Sequence, residues 1–185
     1  PFEEYGLDEE LEAVDWLMET ARRDGAVSGL LAGAVVKSIG VALREERNAM
    51  GLLAPLKAAD EYSVVHSMNA ATLSMGLGEA LGLSHDEVHV LGQSALLHDT
   101  GKTRLPDEIL KKEGSLDDEE WERVKEHPRE GARILMNSEE DMEIPALVAY
   151  EHHLWWDGSA GYPELRYPRK PHRATQIVHV CDIYD

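Results

Sequence analysis

The 185-residue sequence has one cysteine, few cationic side chains and no long uninterrupted apolar run. The single cysteine, Cys181, excludes an internal disulfide and is typical of a reducing compartment. Lysine and arginine number 18 against 36 aspartates and glutamates, so the formal net charge is -18. Affinity for polymeric nucleic acid depends mostly on cationic side chains, because these displace counterions from the phosphates. We therefore expect a cytoplasmic protein that does not bind polymeric nucleic acid.

The most apolar stretch, residues 26–43, reads AVSGLLAGAVVKSIGVAL and has borderline length for a membrane span. Lys37 in its middle would cost roughly 2.5 to 3.5 kcal/mol on an insertion scale. The three glycines add no compensating hydrophobicity. We predict a helix that is buried or packs against a partner, with no membrane span and no secretory signal.

Apolar residues recur at helical spacing through most of the chain. Leu7, Leu11, Val14 and Met18 follow one another at spacings of four, three and four, and Gly25 then suits a C-terminal cap. No segment alternates apolar and polar residues convincingly, and turn-forming residues are concentrated in 154–171. The pattern predicts an all-α fold, an antiparallel helical bundle.

Capping signals mark the starts of several of these helices. Ser84 with Glu87 predicts a capping box at the start of a helix that runs into His98. Ser115 with Asp118 predicts a weaker box in front of the next helix. These signals give the candidate ligands a helical frame.

Five of the nine histidines lie near predicted helix centres or ends, about 25 to 32 residues apart, with aspartates close to them. That interval is long enough for two antiparallel helices joined by a turn. In a helical bundle, successive ligands would therefore lie at the same level along the bundle axis. Imidazole and carboxylate suit a first-row divalent metal, and the ligands exceed what one ion needs. We infer two metals bridged by a carboxylate. The candidates are His66, His98, Asp99, His127, His152, His153 and Asp182.

Five segments carry a family resemblance, in the same order and at similar spacings. They read HSMNAATLSMGLGEALGLS, ALLHDTGKTRLPDEIL, VKEHPREGARIL, EHHLWWDGSAGYP and QIVHVCDIYD. Together they resemble the HD-GYP branch of the HD phosphohydrolases over roughly residues 40–185. The resemblance implies a bacterial phosphodiesterase of signal transduction that opens cyclic di-GMP to pGpG, to GMP or to both.

The resemblance also implies a role for each motif residue. It assigns one metal to His66, His98, Asp99 and Asp182. Asp99 would bridge to a second metal, whose other ligands are His127, His152 and His153. Asp99 and Lys102 are the implied catalytic residues, and Lys102 would bind a substrate phosphate. The two metals are expected to be iron or manganese, with magnesium, nickel or zinc as alternatives.

A glycine-rich loop follows the paired histidines. The usual family form is Asp-Gly-x-Gly-Tyr-Pro, and this loop is one residue longer. As a pocket wall it would bind substrate, and as a structural turn its glycines would supply permissive backbone. We expect the neighbouring Trp155 and Trp156 to pack on the core rather than to stack on a base. The loop residues expected at the substrate are Asp157, Gly158, Gly161, Tyr162 and Pro163.

Some family members hold a third metal through a glutamate one helical turn before the first histidine. That position here is Tyr62, and a phenol is a poor ligand for a divalent ion. Glu61 is five residues before His66, which rotates it about 140° from the ligand face. We predict a binuclear centre.

The remaining expectations concern domains, partners and alternatives. Residues 1–50 are expected to form a helical extension for docking or dimerisation, and residues 51–185 a catalytic domain that lacks its C-terminal end. We also expect a homodimer and a sensor or receiver domain in the full-length protein. Two other functions stay open, an HD phosphohydrolase acting on another nucleotide or cyclic dinucleotide and a catalytically silent ligand-binding module.

Overall fold

A computed structural model describes residues 7–46 and 62–185, and helices dominate both ranges. The described residues contain no β-strand, only an isolated bridge between Leu154 and Gly161. The predicted all-α fold is confirmed. The helices are α1 Asp8–Asp24, α2 Gly29–Glu46, α3 Tyr62–Ala80, α4 His85–Leu97, a 3₁₀ helix Thr100–Arg104, α5 Asp107–Leu110, α6 Asp118–Val124, α7 His127–Met136, α8 Glu143–Glu151 and α9 Arg173–Tyr184.

Two predicted caps are present, and a third lies elsewhere. Gly25 ends α1 in the left-handed region, with φ 72°, and Ser84 with Glu87 forms a capping box at α4. The predicted box at Ser115 is wrong. Asp117 is the N-cap of α6, and Glu120 reaches back to the Asp117 N–H at 2.8 Å. Glutamate is long enough to make this return bond, whereas Asp118 is already the first residue of the helix.

Residues 29–43 of the apolar stretch belong to α2, which packs one side into the core of the protein. Its Ala32, Val36 and Ile39 are fully buried and belong to the same core as Leu91 of α4. Burial of a large side chain such as Val36, Ile39 or Leu91 stabilises the fold by about 1.5 to 3 kcal/mol. Within the described ranges, none of the helices has the length and apolar character needed to cross a membrane.

The first helix shares this core with the rest of the chain. Val14, Leu17 and Ala21 of α1 are fully buried, and α1 contacts α2, α3 and the 3₁₀ helix. The predicted domain boundary at residue 50 lies outside the described residues, as does Asp60, a candidate cap for α3. The two-part division of the chain stays a prediction.

A close approach between the 3₁₀ helix and α7 brings two of the ligand motifs together. A Cβ added to Gly101 would lie 1.9 Å from the carbonyl oxygen of His127 and 2.5 Å from the Gly131 nitrogen. Any side chain at residue 101 would therefore push the two backbones apart. Glycine at this position lets the segment after His98 lie directly on the first turn of α7, which begins with His127.

Candidate metal centre

The seven predicted ligands lie at or beside helix ends that converge in the interior. His66 is in the first turns of α3, Asp182 in the last turn of α9, and His127 is the first residue of α7. His98 is the C-cap of α4, and Asp99 is the N-cap of the 3₁₀ helix. His152 and His153 directly follow α8, where the chain leaves helical geometry, and their rings lie 4.1 Å apart.

These side chains form two groups of potential metal ligands. In each group, one ligand atom per residue lies within 4.8 Å of the others. The first group contains His66, His98 and Asp182. The second contains Asp99, His127, His152 and His153. The sequence thus predicted which residues meet, and the structure places all seven together.

Asp99 lies between the two groups. Its Oδ2 is 3.5 Å from His98 Nε2 in the first group. Its Oδ1 is 3.3 Å from His127 Nε2 and 3.6 Å from His152 Nε2 in the second. One carboxylate oxygen faces each group, which is the arrangement that a bridging ligand needs.

Three of the histidines are oriented by the same backbone contact. The Nδ1 atoms of His98, His127 and His152 lie 2.7, 2.6 and 2.8 Å from the carbonyl oxygen three residues earlier. An Nδ1–H that donates to a carbonyl fixes the tautomer and leaves the Nε2 lone pair toward the centre. Each ring is thereby prepared to bind a cation before any cation arrives.

The surroundings of two buried atoms at the centre indicate whether a metal fits there. His98 Nε2 and Asp99 Oδ1 are buried, and neither has a hydrogen-bond partner within the described ranges. An unpaired buried polar atom costs free energy, so native structures rarely leave one without a purpose. A lone pair and a carboxylate oxygen are both cation ligands, and the residues therefore fit a divalent metal.

The protonation states of His152, His153 and Asp99 suit the same role. Burial lowers the pKa of His152 to about 4, and the charge of the neighbouring His98 lowers it in the same direction. Burial and the adjacent His152 lower the pKa of His153 to about 2. Burial raises the pKa of the Asp99 carboxyl, but His98 and Lys102 outweigh it and hold that pKa well below its usual value. Neutral imidazoles and an ionised carboxylate are the forms that bind metal.

Lys102 lies beside this centre and forms an ion pair with Asp99 Oδ2. Its side chain is 35% exposed, so the ammonium group also reaches solvent. A cavity of about 510 Å³ opens here, lined by His66, Asp99 and Lys102 among others. Its volume lies in the range of small-molecule sites. The role of Lys102 as a phosphate ligand stays a prediction.

In the glycine-rich loop, the Tyr162 ring packs against a predicted metal ligand. Its ring stacks on His153 with centroids 4.4 Å apart, and the Trp121 ring of α6 lies edge-to-face with it at a centroid distance of 6.0 Å. Burial raises the pKa of Tyr162 to about 12, so the phenol stays protonated at neutral pH. Asp157 instead closes a turn, accepting from the Ser159 N–H at 2.9 Å.

The two loop glycines are needed by the backbone. Gly158 and Gly161 have φ of 73° and 99°. A Cβ at Gly158 would lie 1.9 Å from the Arg169 carbonyl oxygen, and one at Gly161 would lie 2.1 Å from that of His153. The structural interpretation of both glycines therefore has direct support. Substrate contacts by Asp157, Gly158, Gly161, Tyr162 and Pro163 stay predictions.

The prediction that both tryptophans pack on the core is wrong. Trp155 is 60% exposed and Trp156 is 67% exposed. Residues 155–158 form a turn, closed by the Gly158 N–H donating to the Trp155 carbonyl at 2.8 Å. That turn directs the side chains outward, and Lys170 lies 5.1 Å from the Trp156 ring.

Three further residues support the site and were not predicted. Glu151 is fully buried and binds Arg169, the His172 N–H and the Thr175 hydroxyl. Asp185 lies 2.8 Å from Nδ1 of His66. The Nδ1 of His179 lies 2.6 Å from the His152 carbonyl oxygen, so His179 supports the backbone of the paired histidines. A carboxylate inside the apolar segment IPALVAYE was the available signal for Glu151.

Comparison with known proteins finds a family and several relatives. The HD domain family model matches residues 64–185. A cyclic di-GMP phosphodiesterase of Pseudomonas aeruginosa is 34% identical over 173 residues, which cover 94% of this chain and 42% of that protein. A 3'3'-cGAMP-specific phosphodiesterase of Vibrio cholerae is 31% identical over 131 residues, which cover 70% of this chain and 25% of that protein. The chain spans less than half the length of these relatives.

A solved structure shares the fold. It is an HDG"Y"P protein from Bdellovibrio bacteriovorus, with a TM-score of 0.68 at 18% identity. The match covers 94% of this chain and 56% of that one. It therefore includes helices on the N-terminal side of the segment that the family model matches.

Proposed function

The chain belongs to the HD domain family and carries the motifs of its HD-GYP branch, and we propose that it hydrolyses cyclic di-GMP to pGpG, GMP or both. The observation that carries the proposal is the pair of ligand groups that share Asp99 beside a cavity of about 510 Å³. Relatives with that activity at 34% and 39% identity add support. Metal-dependent hydrolysis of a nucleotide phosphodiester requires cation ligands beside a cavity that admits the nucleotide, and this arrangement provides both.

We assign one metal to His66, His98 and Asp182 and the other to His127, His152 and His153, with Asp99 bridging. Two divalent ions would supply an activated water at neutral pH and stabilise charge that develops on the phosphate oxygens. Imidazole and carboxylate ligands suit iron or manganese and do not exclude magnesium, nickel or zinc. Glu61 and the Tyr62 side chain lie outside the described residues, so the absence of a third ion stays a prediction.

The protein groups around the centre have separate tasks. The ammonium group of Lys102 is close enough to Asp99 to pair with a phosphate oxygen that enters the cavity. The backbone carbonyls that hold His98, His127 and His152 prevent their rings from turning. The Tyr162 ring covers one face of His153 and keeps water from that side.

A second substrate class has one specific observation in its favour. Three relatives of Vibrio cholerae act on 3'3'-cGAMP, with identities of 28% to 32%. This ligand has the same phosphate diester and differs from cyclic di-GMP in one base. The presence of all seven ligands disfavours a catalytically silent module. A cytoplasmic location, a homodimer and an attached sensor or receiver domain belong to the same proposal.

Incubation of the purified protein with cyclic di-GMP tests the function. Iron or manganese is supplied under reducing conditions, and pGpG is followed by chromatography. We expect turnover by the wild type and by Asp86→Asn, an exposed carboxylate on α4, but not by Asp99→Asn. Parallel reactions with 3'3'-cGAMP distinguish the two substrates. Absence of any product with either metal would refute the proposal.

A further inference from the structure

The N-terminal helix α1 is fixed against the ligand-bearing part of the protein. One face of α1 is buried in the common core through Val14, Leu17 and Ala21. At its C-terminal end, Arg104 donates to the Arg22 carbonyl at 2.9 Å, and the Arg22 guanidinium pairs with Asp107 at 3.0 Å. The helix therefore has a defined position relative to the 3₁₀ helix that carries Lys102.

Another face of the same helix lines the cavity beside the metal ligands. The lining residues of α1 are Asp15, Met18, Glu19 and Arg22. Their spacings of three, one and three place them together on one side of a helix. His66, Asp99 and Lys102 line the same cavity. A ligand that fills the cavity would therefore touch both α1 and the metal centre.

The cavity lining contains the predicted metal ligands His66 and Asp99, the cation Lys102 and two carboxylates of α1. Asp99 is 5% exposed, and its Oδ1 accepts no hydrogen bond from the described residues. Asp99 with bound cations, together with Lys102, would attract phosphate. Asp15 and Glu19 line the same cavity, and their carboxylates repel phosphate. They therefore suit an uncharged part of a nucleotide ligand, one that donates hydrogen bonds.

We propose that Asp15 and Glu19 accept hydrogen bonds from a guanine base of the substrate, with Met18 against the base plane. Guanine presents two adjacent donors, N1–H and the exocyclic amino group, whereas a carboxylate is an acceptor at both oxygens. Adenine presents a donor beside an acceptor, and its acceptor would meet carboxylate oxygen. A methionine side chain adapts to a flat aromatic surface. This inference rests on the proposed function and names the base that the site selects.

The test measures binding of GMP and AMP to the purified metal-containing protein by titration calorimetry. A phosphodiesterase does not consume these monophosphates, so the measurement does not depend on turnover. We expect the wild type to prefer GMP. Asp15→Asn and Glu19→Gln should each reduce that preference roughly 10-fold, because each amide replaces an acceptor with a donor that faces another donor. Glu9→Gln, an exposed position of α1 that does not line the cavity, is the matched control.

The outcomes separate this inference from the function. Equal binding of GMP and AMP by the wild type would overturn it, and so would a GMP preference that neither cavity variant reduces. A GMP preference that depends on both carboxylates would support it, even if cyclic di-GMP were not hydrolysed. If the protein hydrolyses cyclic di-GMP but the ratio of GMP affinity to AMP affinity is unchanged in both variants, the proposed function stands and the inference is overturned.

Discussion

Replacement of Glu151 by glutamine should destabilise the protein through the loop that follows the paired histidines. The Glu151 side chain is fully buried, and its two oxygens bind three groups from residues 169–175. One is the Arg169 guanidinium, and the others are the His172 N–H at 2.8 Å and the Thr175 hydroxyl at 3.0 Å. These bonds tie the end of α8 to the start of α9 across the loop.

The expected magnitude follows from those contacts. Glutamine retains one acceptor oxygen but places an amide donor against either Arg169 or the other two donors. A hydrogen bond to a charged group contributes about 1.5 to 3 kcal/mol. The Arg169 side chain is 51% exposed, so part of that loss is recovered by solvation. We expect the free energy of unfolding to fall by about 2 to 3 kcal/mol.

Urea denaturation of the metal-free protein measures this change without a contribution from bound cations. Glu164→Gln is a suitable control, because Glu164 is an exposed carboxylate in the same loop. Arg169→Met in the same series separates the ion pair from the two neutral bonds. A Glu151→Gln variant within 0.5 kcal/mol of the Glu164→Gln control would refute the reasoning, since that is the scatter of ordinary surface substitutions.

Three other outcomes are expected from the geometry. Asp99→Ala should lose both metals, whereas His153→Ala should lose mainly one, as measured by elemental analysis. A full complement of metal in Asp99→Ala would contradict the assignment of Asp99 as a bridging ligand. Anomalous diffraction should show two metals, and a third at full occupancy beside Tyr62 would contradict the binuclear prediction. Gly101→Ala should lower metal content and the melting temperature together, because its Cβ would lie 1.9 Å from the His127 carbonyl oxygen. Wild-type values for both quantities would show that the backbones separate at no cost.

The helices and the ligand set could be predicted from local sequence. A capping box such as Ser84 with Glu87 acts within one helical turn. The intervals from His66 to His98 and from His127 to His152 each hold two helices, as expected, whereas three short helices fill the interval from His98 to His127. The order of the motifs then implied the family. The same reasoning misplaced the cap of α6, because Ser115 and Asp117 are both acceptable caps and only the latter has glutamate three residues later.

Tertiary structure alone decided the surroundings of those ligands. Glu151 is identified as an anchor only when Arg169 and Thr175 approach it from the far side of a loop. The exposure of Trp155 and Trp156 depends on the direction of one turn, which composition does not encode. The periodicity of α1 predicted an apolar face, but its Asp15 and Glu19 gained a possible role only when the fold placed them in the cavity of Asp99. Short-range hydrogen bonds and side-chain spacing are properties of the sequence, whereas contacts between distant segments exist only after the helices have packed.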